Sequence, residues 1–137
     1  MNTRRASSRS SRSPRQPANV AGAQDLVRLL DQAGLTPQAA LWVYREETDS
    51  WRLWLAPPPH AEERTGYYKA VSGVLATPEG KATRIDFGDV QYVAPKDDVL
   101  RGLADTVSAA RIAAIKVGAS VVNGIYHPDS IIIRLAV

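Results

Sequence analysis

The chain has 137 residues, 45% of them hydrophobic and 23% charged, with a formal net charge of +3. That length supports one domain with a core large enough to fold without staples. Cysteine is absent and histidine occurs twice, which excludes disulfides and thiolate zinc sites and leaves only His60 and His127 to offer imidazole. No apolar run reaches the roughly 18 residues of a membrane span.

The net charge is a property of one end. Residues 1–22 hold Arg4, Arg5, Arg9, Arg12 and Arg15 and no acid, which leaves 12 basic against 14 acidic residues beyond them. This Arg/Ser/Pro-rich stretch has almost no large apolar residue to offset the entropy of ordering, so it is expected to be disordered. It lacks the apolar middle of a secretory signal. Three readings stay open: a solvated extension, a nucleic-acid contact through phosphate neutralisation, or an organelle transit peptide, whose composition is similar but which is normally amphipathic.

Residues 23–137 are expected to form the folded domain. Leu26, Leu29, Leu30 and Ala33 recur at i, i+3, i+4 and i+7, which predicts a helix over Ala23–Ala33. Gly34 suits the position after its end, and Pro37 stops continuation.

Ala40–Ala56 carries all three tryptophans and reads as a β-hairpin. With Glu46 opposite Ser50, Leu41, Val43, Trp51, Leu53 and Leu55 form an aliphatic face with one indole. Trp42, Tyr44, Arg52 and Trp54 form the other face. The loop is then Glu47-Thr48-Asp49, with Asp49 in the left-handed region. A one-residue slip would mix the two sets.

Pro57-Pro58-Pro59 makes a stiff connector. Glu62–Ala76 is expected to be helical, with Glu62 and Glu63 favoured in the first turn by the dipole. Tyr67, Tyr68, Val71, Val74 and Leu75 give it a broad apolar stripe. Gly66, Ala70 and Gly73 form a small-residue stripe that either admits another backbone or simply weakens the helix. Thr77–Gly80 reads as a turn. Ala82–Ala94 reads as extended, with a bulge or bend at Gly88 where the alternation changes phase.

Asp97 is expected to cap a third helix whose apolar face is Val99, Leu100, Leu103 and Val107. Ile112–Val117 is ambiguous, and the alternation of Ile115 and Val117 favours strand. Asn123-Gly124 is a strong two-residue hairpin signal. The β-branched run from Ile131 predicts a strand covered on both faces, hence a central one. Together these elements predict an α+β two-layer sandwich: a mixed β-sheet with a central hairpin, about three helices and a basic tail.

Two functional readings compete. The favoured one is a cytoplasmic binding or accessory module without cofactor or metal. It would act through a protein partner or self-association at Trp42, Tyr44, Arg52 and Trp54, residue types enriched at interface hot spots. The tail arginines could add nucleic-acid contact; no membrane contact is expected. The same aromatic face could instead be ordinary core under a helix. The alternative is a small metal-dependent enzyme. Glu79, Lys81, Asp86 and Asp89 are similar to the acid cluster of a nuclease, in which carboxylates hold Mg²⁺ and orient a water. Asp97-Asp98 reads as a cap and dipole pair, and no triad can be assembled around either histidine.

Overall fold

The computed structural model describes residues 17–59 and 64–137, without the side chains of Arg64 and Thr65. The elements are helix α1 (Val20–Gln32), strands β1 (Ala39–Arg45) and β2 (Ser50–Ala56), helices α2 (Arg64–Leu75) and α3 (Pro78–Ala82), strand β3 (Val90–Tyr92), helix α4 (Asp98–Ala104), and strands β4 (Ile115–Val117), β5 (Ser120–Val122), β6 (Ile125–His127) and β7 (Ser130–Leu135). The fold is α+β, as expected. Five strands form a mixed sheet in the order β3-β2-β1-β7-β4, and β5 and β6 form a separate two-stranded sheet. Within the main sheet only β2 and β3 are parallel neighbours. Among the described residues no helix is long and apolar enough to cross a membrane.

Helices α1 and α2 cover one sheet face. Their Leu26, Val27, Leu30, Tyr67 and Val71 meet Trp42, Leu53, Leu55, Ile131 and Ile133 from the strands. The opposite face is packed as well. There Leu41, Val43 and Ile132 meet Leu100 and Leu103 of α4, with Val107 and Ile115 at the margin. Helix α4 starts where its cap was expected: the Asp97 carboxylate accepts from the amides of Val99 and Leu100.

The central hairpin departs from its expected register by one residue. Arg45 pairs with Ser50, Tyr44 with Trp51, Trp42 with Leu53 and Leu41 with Trp54. The loop therefore has four residues, 46–49, closed by a bond from the Asp49 amide to the Glu46 carbonyl at 3.3 Å. Asp49 does adopt positive φ, at 48°. The slip follows from burial on both faces. An aliphatic set and an aromatic set need segregating only when one face meets water, and here neither does.

Strand β7 lies between β1 and β4 and is buried along its whole length, as the β-branched run predicts. A register shift opposite Ala40 and Leu41 leaves Ile133 without a partner, which makes it a β-bulge. The hairpin at Asn123-Gly124 is also as expected. Both residues have positive φ, 53° and 77°, the geometry of a two-residue type I′ turn.

Other expectations need correction. Helix α1 starts three residues early because the Asn19 side chain accepts from the Gly22 amide. Residues 20–22 therefore belong to the fold and not to the tail. Residues 1–16, His60, Glu62 and Glu63 lie outside the described residues. The Thr77–Gly80 turn is the start of α3, capped by the Thr77 hydroxyl. The close backbone approach expected of the α2 glycines occurs at Gly80 instead, where a Cβ would fall 2.0 Å from the Val74 carbonyl; around Gly73 there is open space. Of the extended stretch 82–94 only β3 is strand. The Asp86 carboxylate accepts from the Gly88 amide and winds Phe87–Asp89 into a 3₁₀ turn.

Candidate functional site

The four residues expected to share one face are split by the hairpin's register. Trp42 and Tyr44 point toward α1 and α2, whereas Arg52 and Trp54 lie on the α4 side. Trp42 is 4% exposed and donates its indole N–H to the Asn19 carbonyl at 3.1 Å, so it is a core residue that also fixes the start of α1. Tyr44 is buried. Its ring stands 5.4 Å from that of Trp51, and its hydroxyl donates to the Asp49 carboxylate, holding the loop's left-handed residue in place. Arg52 donates to the Gly88 carbonyl at 2.5 Å and ties β2 to the 3₁₀ turn. Trp54 is half-buried and remains available to a surface.

That surface is a cleft of about 310 Å³ at the loop end of the central hairpin. Val43, Trp54 and Pro128 give it apolar walls, and Tyr126, Glu46 and Glu47 form its rim. Two separate hairpins build it. The Tyr126 hydroxyl reaches the Glu46 carboxylate at 3.4 Å, joining residues 80 apart in sequence. The second hairpin is anchored at its base, where the Tyr44 amide donates to the Asp129 carbonyl and the Asp129 carboxylate accepts from the Ala119 amide. Around the loop Glu46, Glu47 and Asp49 stand against a single base, Arg45.

The two faces of the small hairpin differ. On the inner face Val122 and Ile125 border a cleft against α4, and the His127 ring packs on Gly102, where a Cβ would lie 2.5 Å from the imidazole Cε1. His127 is 1% exposed, and neither ring nitrogen has a hydrogen-bond partner within the protein. On the outer face Val121 lies directly opposite Tyr126, and the two are 67% and 51% exposed. The sequence reading missed Val121, Tyr126, Glu46 and Glu47 as site residues. A signal for the first two was present, since a two-residue turn at Asn123-Gly124 forces Val121 and Tyr126 opposite each other.

A third cleft, of about 430 Å³, lies on the α1 side of the sheet between Pro17, Ala18, Trp51, Lys116, Val117 and Ile131. Residues 1–16 lead off from its edge.

The residues of the metal-enzyme alternative do not converge into a site. Glu79 and Lys81 are exposed on α3, and Asp86 and Asp89 are exposed at the two ends of the 3₁₀ turn. Among the described residues no three His, Asp or Glu side chains form a group that could hold a metal ion. Asp86 acts as a turn cap, which accounts for its place in the sequence.

One charged pair is internal. Asp31 on α1 and Arg134 on β7 are joined by two hydrogen bonds. Those bonds hold the Asp31 carboxyl below its ordinary value against the opposing effect of burial, with Thr36 assisting. Nearby, burial and then the Asp31 charge push the Tyr67 hydroxyl well above its ordinary value, and it donates to the Leu35 carbonyl at 3.0 Å. These groups fasten the C-terminal strand to the first helix. Compared with models of protein families, with curated proteins and with solved structures, the chain matches none.

Proposed function

We propose that the chain is a binding or accessory module that engages a protein partner at the end of its sheet. The contact surface is the cleft walled by Val43, Trp54 and Pro128 together with the outer face of the small hairpin. The observation that carries this reading is the Val121–Tyr126 pair. Two large side chains sit directly opposite each other and largely exposed, on a hairpin outside the main sheet and beside an aromatic cleft. Isolated exposed apolar residues are ordinary on a protein surface, but a paired patch continuous with a concave apolar wall is the usual form of an interaction site. The cysteine-free fold asks for no oxidising compartment, and we assign its action to the cytoplasm.

The test is site-directed photo-cross-linking in the cell of origin. A photoreactive residue at position 121 should yield a discrete adduct that the same residue at exposed Ser108 does not. The captured protein, purified, should bind the module directly, and Tyr126→Ala should weaken that binding at least tenfold, in line with loss of an aromatic anchor. Equal, diffuse products from positions 121 and 108 would sink the reading.

A further inference from the structure

We propose that the cleft between the two hairpins receives an arginine-bearing extended segment, and that the chain's own residues 1–16 are its resident occupant. The inference rests on the reading of this cleft as a binding surface and names what it binds.

The chemistry of the two parties is complementary. The rim offers Glu46 and Glu47, and the walls offer the faces of Trp54 and Tyr126. A guanidinium is the one side-chain cation that satisfies both kinds of group at once. Its planar fork matches a carboxylate, and its flat face stacks on an aromatic ring. Residues 1–16 contain Arg4, Arg5, Arg9, Arg12 and Arg15 and no acid, whereas the rest of the chain is net acidic. A lysine-rich or apolar segment would use only half of this surface.

The path is short. Pro17 borders the cleft that also holds Trp51 and Asp129. Trp51 stacks on Tyr44, and Asp129 follows Pro128, which walls the acidic cleft. The tail thus leaves the fold one residue's breadth around the sheet end from its proposed seat. Sixteen residues span up to roughly 50 Å when extended, ample for the turn. Tethering at that range supplies an effective concentration of the order of millimolar, so even a weak segment would fill the cleft. An external partner would then have to displace the tail or bring a better arginine segment.

Because the chain has no cysteine, a single nitroxide can be placed at Ser10→Cys in the full-length, isotopically labelled protein. The expected result is paramagnetic broadening of the Trp54 indole, Val43 and Tyr126 signals, absent from the α2 signals of Ala70 and Gly73. The broadening should be lost in Glu46→Gln/Glu47→Gln, whose exposed side chains carry no part of the fold, and when the five tail arginines are replaced by glutamine. Absence of broadening at the cleft, or broadening that survives either set of substitutions, would overturn the proposal. Broadening produced by a nitroxide on an unenriched second copy would assign the cleft to another molecule's tail and overturn residence in cis. The cross-linking test at Val121 does not depend on the tail. A specific adduct there, with no tail signal at the cleft, removes this inference and leaves the module reading intact.

Discussion

Arg134 meets Asp31 end to end across 103 residues of sequence, Nη1 to Oδ1 at 2.7 Å and Nη2 to Oδ2 at 2.9 Å. The β-bulge makes this possible. Ile132 and Leu135 face α4, so strict alternation from Ile132 would turn Arg134 to that side too. The extra residue at Ile133 resets the alternation. Ile133 and Arg134 then both point toward α1, and Arg134 lies beside Ala40, whose side chain faces that helix. The Arg134 Nε also donates to the Ala110 carbonyl at 2.9 Å, so the guanidinium is held at three points.

Asp31→Ala should therefore cost about 1.5–3 kcal/mol in chemical denaturation, the range of a charge-assisted hydrogen bond, because it leaves a guanidinium that is only 10% exposed without its anion. A change below about 0.5 kcal/mol would show the pair to be incidental.

The same pair sets an acid limit. The folded-state pKa of Asp31 lies below its unfolded value near 3.8, so the folded state binds its proton later than the unfolded one. The pair's contribution is fully present above that value and is lost as pH falls through the lower folded value. Melting temperature followed below pH 4 should drop less steeply in Asp31→Asn than in the parent. Tyr67 sets the opposite limit. Its raised pKa means that its stabilising contribution is present below pH 10 and is lost as pH rises beyond it. Tyr67→Phe should flatten the decline of melting temperature above pH 10.

His127 gives a prediction about packing. Gly102→Ala would drive a methyl group into the imidazole and should destabilise by about 1–3 kcal/mol. Combining it with His127→Ala should recover part of the loss, a coupling measurable in a double-mutant cycle. His127→Leu alone should be neutral or stabilising, since it replaces two buried nitrogens that have no partner in the protein.

The three indoles should separate in acrylamide quenching. Trp42 is buried, while Trp51 and Trp54 are half-buried, so one emission component should resist quenching and two should be accessible. Trp42→Ala should cost about 3–5 kcal/mol. Trp54→Ala should cost less and act mainly on partner binding. Uniformly protected, blue-shifted emission from all three would close the cleft as a binding site in the free protein.

The central strand was predictable in kind, and so is the consequence of its loss. Ile132→Ala should cost roughly 2–5 kcal/mol, and truncation after Asp129 should abolish cooperative unfolding altogether, because β1 would lose one neighbour and β4 its only one. A truncated chain that still melts in one sharp transition near the parent temperature would contradict this.

What the sequence made legible was local chemistry. Asn123-Gly124, Asp97, Gly34 and the isoleucine run each carry a residue-level cause, and each stands in the fold where that cause puts it. What it hid were the features decided by packing at a distance. The hairpin's register depends on the second sheet face being covered, and that cover comes from α4, more than forty residues further on. The 3₁₀ turn at Gly88 was masked because Ile85 and Phe87 alternate like strand residues, while one carboxylate, that of Asp86, decides the backbone. The candidate site was legible only in part. Trp54 and Tyr44 do border the cleft, but Trp42 and Arg52 were grouped with them by a register the chain does not adopt.

The main sheet ends on both sides in a strand of three residues, β3 and β4. Such brief margins offer few unpaired amides and carbonyls for a foreign strand to template on, and β4 carries the exposed, charged Lys116 at its midpoint. Growth of the sheet into a neighbouring molecule, the usual first step toward fibrils, is thereby discouraged at both ends. The protein should stay dispersed at concentrations where a longer-edged sheet would gel. Any assembly it enters should be built from side chains at the sheet's loop end, not from a continued ladder of backbone hydrogen bonds.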